Sequence, residues 1–171
     1  MSFDPFAEFR MDGHSAIITG AAQNIGAAIA RTLSAAGAKV MIGDLNGEKA
    51  AETAAEIARE TGNDCRGMAC NVTEQSDIDA LVAATVEAFG GISTLVNNVG
   101  WGRRQDDPAA IPAQEFIDSY ALNTISAYRM SMACLPYLKQ AENASITNSG
   151  SFSSAMPAYD ILPYGTAKAA L

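Results

Sequence analysis

Histidine is almost missing from this 171-residue sequence, with His14 its only representative. A catalytic zinc ordinarily draws on several histidine or acidic ligands, and a Ser-His-Asp triad needs an imidazole base. His14 falls in what reads as the turn before the first strand, so neither chemistry is supported. Cysteine is scarce as well. Cys65, Cys70 and Cys134 form an odd set without a C-x-x-C pair, which argues against a disulfide framework or thiolate zinc site and for reduced, buried thiols. No apolar run approaches the roughly 20 residues of a membrane span. Residues 1–11 carry Asp4, Pro5 and Glu8 and lack a cationic stretch followed by an apolar one, so they read as a poorly ordered tail and not as a secretory signal. Positive charge is short too: 11 Lys and Arg against 19 Asp and Glu leave a net charge of −8, which repels a phosphate backbone and speaks against nucleic acid as a partner. The default location after these exclusions is the cytoplasm.

What remains is a chain with 49% hydrophobic and 18% charged residues, enough for one domain with a real core, expected over 12–171. Apolar runs alternate with helical repeats along it. A first strand at Ser15–Thr19 lies between Asp12-Gly13 and Gly20; a helix follows over 25–36, where Ile25, Ile29 and Leu33 recur at helical spacing and Gly37 closes it. A strand at 39–43 runs to Asp44, and a helix over 48–61 ends before Gly62. A strand at 66–69 precedes a helix over 76–89, capped by Thr73 or Ser76 and closed by Gly90-Gly91. A strand at Thr94–Asn97, a long helical region over 113–140 broken or bent near Pro136, a strand at 144–148 and a helix under way by Tyr164 complete the series. Such alternation predicts an α/β fold, a Rossmann-type doubly wound parallel sheet with helices on both faces.

The first strand runs into Thr19-Gly20-Ala21-Ala22-Gln23-Asn24-Ile25-Gly26 and then into a helix. Glycines there let the chain turn sharply, so that backbone amides and a helix N-terminus face a pyrophosphate. Asp44 ends the next strand, where a carboxylate accepts hydrogen bonds from the ribose hydroxyls of an adenosine. The same carboxylate repels a 2′-phosphate, and Leu45-Asn46 brings no cation to offset it, so NAD is favoured over NADP. Ordinary turn glycines at Gly20 and Gly26 and a solvated acid at Asp44 are the plainer alternatives; they lose weight because the features occur together and in order.

Tyr164-Gly-Thr-Ala-Lys168 places a phenol and an ammonium one helical turn apart on the same face. A phenol ordinarily ionises near pH 10, so a nearby cation that favours its anion is what would let it carry a proton near neutral pH. Tyrosine then takes the part that histidine plays elsewhere.

With these motifs in order, the sequence resembles the short-chain dehydrogenase/reductase family from about residue 12 to 171: the glycine-rich turn at 19–26, Asn97-Asn98-Val99-Gly100 after the fourth strand, Asn123 in the long helical region, Ser151 after the fifth strand, and Y-x-x-x-K at Tyr164 and Lys168. The resemblance implies an oxidoreductase that moves a hydride between NAD(H) and a secondary alcohol or ketone. Tyr164 would be the acid or base on the substrate oxygen, with Ser151 hydrogen-bonding the same oxygen. Lys168 would lower the tyrosine pKa and hold the nicotinamide ribose, and Asn123 would anchor a water that links Lys168 to solvent. Ser149, Ser153 and Ser154 are close rivals of Ser151. Gly20, Gln23, Asn24, Ile25, Gly26, Asp44, Leu45, Asn71, Val72, Asn98, Val99 and Gly100, with Tyr164 and Lys168, would bind the cofactor; no metal is implied.

The sequence departs from the family pattern in places. Asn24 replaces the middle glycine of the turn, and asparagine tolerates the left-handed conformation needed there. Asn71-Val72 replaces an Asp-Val pair that contacts adenine, leaving an amide oxygen as the acceptor, and Val99 replaces an alanine. These bear on cofactor affinity and not on the chemical step. Family members also continue through two more strands and a helical flap over the substrate, so the chain to Leu171 reads as a fragment with its C-terminal strands missing.

The loop after Gly100 would line the substrate cleft. Trp101 offers an apolar wall; Arg103 and Arg104 could hold an acidic group or simply pair with Asp106 and Asp107. The stretch from 11 to 20 leans toward bacterial hydroxysteroid dehydrogenases, with 3-oxoacyl carrier-protein reductases and sugar-alcohol dehydrogenases as neighbours in the family. In the family, the helices over 113–140 and from Tyr164 onward form a subunit interface, implying a homotetramer or homodimer, and Met130, Met132 and Leu135 could serve there or in the core. The competing reading from another class is a dinucleotide-binding module that senses redox state without turnover.

Overall fold

Ile17 and Ile18 are both fully buried although they leave the same strand on opposite sides. A strand that is apolar at successive positions has to be covered on both faces. That strand, β1 (Ser15–Thr19), is buried along its whole length. β2 (Lys39–Asp44) and β4 (Thr94–Asn97) flank it in parallel, with Ile17 level with Met41 on one side and with Leu95 on the other. β3 (Cys65–Ala69) pairs with β2, and β5 (Ser145–Asn148) with β4, giving the parallel order β3-β2-β1-β4-β5. This is the doubly wound sheet that the β-α alternation predicts. The computed structural model describes residues 7–156 and 158–171.

Helices α1 (Asn24–Ala35) and α2 (Gly47–Thr61) cover one face, where Ala30, Ala50, Ala54 and Ile57 close over Ala16, Ile18, Val40 and Ile42. Their small side chains let the helices lie close to the sheet. α3 (Gln75–Phe89) and α5 (Ser126–Leu138) cover the other face, with Ile78, Leu81, Met130, Cys134 and Leu138 against Ile17, Met41 and Leu95. Each fully buried Ile or Leu contributes about 1.5–3 kcal/mol. Met130 therefore belongs to the core, whereas Met132 is 47% exposed. α4 (Ala113–Tyr120) packs against α6 (Leu162–Ala170), the helix that carries Tyr164 and Lys168.

Some local expectations are corrected. The helical region over 113–140 passes Pro136 as helix and ends at Leu138; its irregularity is a π-helical turn at Ala121–Ile125, between α4 and α5. Pro136 sits in the last turn of α5, where its missing N–H leaves the Met132 carbonyl without its helical donor, and the helix ends two residues later. Neither Thr73 nor Ser76 caps α3: its N-cap is Glu74, without a side-chain bond, while the Asp77 carboxylate accepts the Asn71 N–H at 2.9 Å. Within the expected tail, residues 1–6 lie outside the described ones; Ala7–Phe9 forms a 3-10 turn and the Met11 N–H donates to the Ala36 carbonyl at 2.8 Å. No helix of the described residues is long and apolar enough to cross a membrane.

Candidate active site

At the carboxyl ends of β1 and β4 the chain leaves in opposite directions, and a groove of about 580 Å3 opens there. It is lined by every residue from Gly20 to Gly100 that the sequence marks for a dinucleotide: Gly20, Gln23, Asn24, Ile25, Gly26, Asp44, Leu45, Asn71, Val72, Asn98, Val99 and Gly100. Trp101, expected as an apolar wall of the cleft, lines it too, as do Cys70 and Leu122, which carry no signal in the sequence that would single them out for a dinucleotide.

The turn after β1 is built by close approach. A Cβ on Gly26 would come 2.3 Å from the Gly20 carbonyl oxygen and 2.8 Å from Asn98 Nδ2, so only glycine lets α1 start this near β1. Gly20 takes φ +63° and Asn24 φ +53°, so Asn24 adopts the left-handed conformation expected of it. The α1 N-cap, Gln23, is extended and makes no side-chain bond to the helix, so the first-turn N–H groups lack a side-chain cap. Asn98 braces the turn from β4: its Nδ2 donates to the Gly20 carbonyl at 2.9 Å and its N–H to Thr19 Oγ1 at 3.2 Å.

Asp44 does more than end a strand. Its Oδ2 accepts the Ala22 N–H from the glycine turn at 3.0 Å, and its Oδ1 accepts the Asn46 N–H at 3.0 Å. The carboxylate therefore ties the turn to the start of α2, with lone pairs left for further donors. Asn71 behaves differently. Its Oδ1 accepts the Thr73 N–H at 3.1 Å and the Thr73 hydroxyl at 2.8 Å, so the acceptor expected for an adenine amino group is already engaged twice within the chain. Glycine-lined backbone, an uncapped helix start, a strand-end carboxylate and the apolar Ile25, Leu45 and Val72 make a donor set that fits a dinucleotide.

Beyond Gly100 lie the residues expected to act as acid and base. Lys168 is 5% exposed, and its Nζ donates to the carbonyls of Ser149 at 2.8 Å and Val99 at 3.2 Å. Burial pushes its ammonium below the usual lysine range. A Cβ on Gly100 would lie 3.1 Å from Lys168 Nζ and 3.4 Å from Asn123 Oδ1, so glycine leaves the space between these two groups open. Asn123, 1% exposed, sits in the π-helical turn, a device frequent at functional sites. Its amide brackets the backbone of Trp101: Oδ1 accepts the Trp101 N–H and Nδ2 donates to the Trp101 carbonyl, both at 3.0 Å, with a further bond from Nδ2 to the Ser119 carbonyl at 2.9 Å.

Tyr164 lines a smaller pocket with Trp101, Gly102, Arg103, Glu115, Asp118, Ser119, Leu122 and Pro163. Its hydroxyl makes no hydrogen bond within the described residues, whereas Tyr120 donates to the Thr166 carbonyl. Ser151 begins a 3-10 turn, with Oγ accepting the Ser153 N–H at 3.2 Å, which leaves its hydroxyl hydrogen free. Two of its rivals are otherwise engaged, the Ser149 hydroxyl donating to Asn98 Oδ1 and the Ser154 hydroxyl to the Ser151 carbonyl, whereas the Ser153 hydroxyl makes no hydrogen bond among the described residues. The arginines of the loop pair with neither Asp106 nor Asp107. Arg103 meets Glu115 at 3.5 Å, and Arg104 forms a short ion pair with Asp160, just ahead of α6.

The three cysteines are free and buried. Burial pushes Cys65 and Cys134 up to about 12 and Cys70 up to about 11. No group of three His, Cys, Asp or Glu side chains able to hold a metal occurs among the described residues.

A family model described as short chain dehydrogenase matches residues 14–171. The 4-formylbenzenesulfonate dehydrogenase TsaC1/TsaC2 of Comamonas testosteroni is 37% identical over 156 residues, covering 91% of this chain and 62% of that protein. The 7alpha-hydroxysteroid dehydrogenase of Escherichia coli (strain K12) is 31% identical over 161 residues, 94% of this chain and 62% of that protein. Among solved structures, a 7 alpha-hydroxysteroid dehydrogenase complexed with NADH and 7-oxo glycochenodeoxycholic acid superposes with a TM-score of 0.88 at 30% identity, covering 99% of this chain and 65% of that one. The L-sorbose reductase from Gluconobacter frateurii, complexed with NADPH and L-sorbose, gives 0.90 at 25% identity and covers 95% and 62%. The chain thus spans less than two thirds of the length of these relatives.

Proposed function

The chain belongs to the short-chain dehydrogenase family, and from that premise we propose that its 12–171 domain is the nucleotide-binding and catalytic part of an NAD-dependent oxidoreductase of secondary alcohols and ketones. The observation that carries this reading is the meeting of groove and acid–base groups around Gly100: the strand-end groove reaches Gly100, and Lys168 and Asn123 flank that same residue.

Bound in the groove, NAD(H) supplies the hydride acceptor or donor through its nicotinamide ring. Gly20, Gln23, Asn24, Ile25 and Gly26 would take the pyrophosphate and Asp44 the adenosine ribose, with Leu45, Asn71 and Val72 at the base and Asn98, Val99 and Gly100 toward the nicotinamide half. The Asp44 carboxylate, already within hydrogen-bond reach of two backbone N–H groups, favours ribose hydroxyls over a 2′-phosphate, which is the argument for NAD over NADP. Related proteins divide on this point, one holding NADH and another NADPH.

Tyr164, with its hydroxyl uncommitted, takes the proton from an alcohol or gives it to a ketone. Ser151 donates its free hydroxyl hydrogen to the same oxygen. Lys168 keeps one N–H beyond its two carbonyl bonds for the nicotinamide ribose or for a water in the space beside Gly100, where Asn123 Oδ1 has a second lone pair with which to anchor that water. The substrate lies in the pocket of Trp101, Gly102, Leu122 and Tyr164; its apolar wall supports a lean toward ring-bearing hydrophobic alcohols such as hydroxysteroids. The exposed Ile117, Tyr120, Ile125, Tyr128 and Met132, all on α4, the π turn and α5, support association into a homodimer or homotetramer.

Removing the proton carrier tests the reading. Tyr164→Phe is expected to lower kcat with NAD and a panel of secondary alcohols by about 10²–10⁴-fold while leaving NAD binding within a factor of about two. Full activity in Tyr164→Phe would falsify the assignment.

A further inference from the structure

The segment between β4 and α4 runs past the acid–base end of the groove and is held at three points. Nearest β4, Asn123 grips both the N–H and the carbonyl of Trp101 from a buried position. At the far end, the Gln105 N–H donates to the Asp160 carbonyl at 2.7 Å and Arg104 pairs with the Asp160 carboxylate. Between them the backbone of Gly102 lies directly on Tyr164. A Cβ built on Gly102 would come 2.5 Å from Tyr164 Cβ, 2.7 Å from Cγ and 3.2 Å from Cδ2.

Those distances identify what would have to move. Cβ and Cγ are the root of the tyrosine side chain, fixed to the backbone of α6, and not the tip of a flexible chain that swings aside. Gly102 does not have a positive φ, so an alanine there meets no backbone strain, only the Tyr164 side chain. The residues that anchor the segment come from separate places in the sequence: Asn123 from the π turn and Asp160 from the 3-10 turn at Tyr159–Ile161, immediately before α6. A segment pinned on both sides of its contact cannot drift off the ring.

We propose that the 101–105 segment is a strap that sets the orientation of the Tyr164 phenol, with Gly102 as the positioning residue at the contact and the Asp160 bonds as its outer anchor. The inference rests on Tyr164 being the acid–base group. Its consequence is a division of labour: Lys168 and Asn123 fix the electrostatics beside the ring, and the strap fixes the angle at which the hydroxyl meets the substrate. A misdirected phenol loses proton-transfer geometry while the dinucleotide groove, built from other residues, is unaffected. Displacements of about 1 Å at a reacting group cost up to about 10²-fold in rate.

The test compares Gly102→Ala with Gly91→Ala, a control glycine that has neither a positive φ nor any atom within 4 Å of a new Cβ. Gly102→Ala is expected to lower kcat at least about tenfold, to shift the midpoint of the rate–pH profile, and to leave the Kd for NAD, measured by calorimetry, within a factor of about two. In a Tyr164→Phe background the same substitution should cause no further loss, because it acts through the phenol. Asp160→Asn loosens the strap without inserting an atom, and since its partner Arg104 is exposed it should lower kcat about two- to fivefold with a pH shift in the same direction. A Gly102→Ala enzyme matching Gly91→Ala in rate and pH profile overturns the inference. So does a tenfold loss that persists in Tyr164→Phe. If Gly102→Ala does not fold, an Asp160→Asn enzyme indistinguishable from the parent in rate and pH profile overturns it. Lost activity in Tyr164→Phe beside an unaffected Gly102→Ala refutes the strap alone, whereas full activity in Tyr164→Phe refutes the acid–base reading and the strap with it.

Discussion

Substituting Asp44 by alanine should destabilise the protein even when no cofactor is present. The Ala22 N–H that its Oδ2 accepts at 3.0 Å belongs to a residue only 3% exposed, in the turn between β1 and α1. Leaving a buried N–H without an acceptor costs about 1–3 kcal/mol. The Asn46 N–H, bonded to Oδ1, is exposed and turns to water at little cost. Taking roughly 2 kcal/mol for the pair, and a melting shift of about 2–4 °C per kcal/mol for a domain of this size, the Tm should fall by roughly 4–8 °C. Asp44→Asn, which keeps one acceptor oxygen, should lose about half as much. Thermal and urea melts of both variants without cofactor, beside Asp106→Ala as a surface control, measure this term separately from binding. Titration with NAD and NADP then reads the second effect, a relative gain for NADP once the carboxylate no longer repels a 2′-phosphate. An apo Asp44→Ala protein within about 0.5 kcal/mol of the parent would refute the claim that the carboxylate holds the turn, and an unchanged NAD:NADP preference would refute its part in cofactor choice.

Asn24, at φ +53°, should tolerate glycine without loss of stability, while Asn24→Val should cost about 1–2 kcal/mol in a urea melt; equal stability of the two variants would contradict the left-handed turn. Because Cys65, Cys70 and Cys134 hold their protons up to about 11 or 12 in the fold against a usual 9.0, the native state binds protons that the unfolded chain has lost above pH 9. Their contribution is complete below pH 9 and disappears as pH rises toward 12, and it opposes Lys168, whose lowered value makes stability rise with pH below the usual lysine range. At pH 8 a thiol reagent should label none of the three quickly in the native protein and all of them after denaturation; rapid labelling of the native protein would show that the thiols are not buried.

Much of the groove could be read from the sequence because its signals are local. A strand, a glycine-rich turn and a helix follow one another without interruption, and Asp44 closes the neighbouring strand. The uninterrupted burial of Ile17 and Ile18 in β1 matches the continuous apolar run, which is why the parallel sheet was legible. What escaped depends on contacts between distant segments. The tie from Asp44 to the Ala22 N–H spans the β1–β2 crossover, and Asn71 loses its free acceptor to a neighbour two residues away whose side-chain rotamer no pattern encodes. Arg104 finds Asp160 and not the nearer Asp107, which instead caps a 3-10 turn through the Ala109 N–H. Met130 and Met132 are two residues apart and end on opposite sides of α5, a distinction the spacing alone could not assign without the helix phase.

That phase is set at Ala121–Ile125. There the Ser126 N–H reaches back five residues to the Ala121 carbonyl, and the Leu122 carbonyl passed over by that bond is taken by the Ser126 hydroxyl at 2.5 Å. The turn thus absorbs an extra residue without lengthening the rod, and everything before it is rotated by roughly 100° relative to an unbroken helix. An uninterrupted amphipathic helix has a single stripe to offer. This one has two: past the turn Met130, Cys134 and Leu138 address the sheet, and before it Glu115, Asp118 and Ser119 address the pocket of Tyr164. A deletion of one residue inside 121–125 would act as a rotation and not as a shortening. It would swing the α4 wall of the Tyr164 pocket away while the core side of α5 kept its seats.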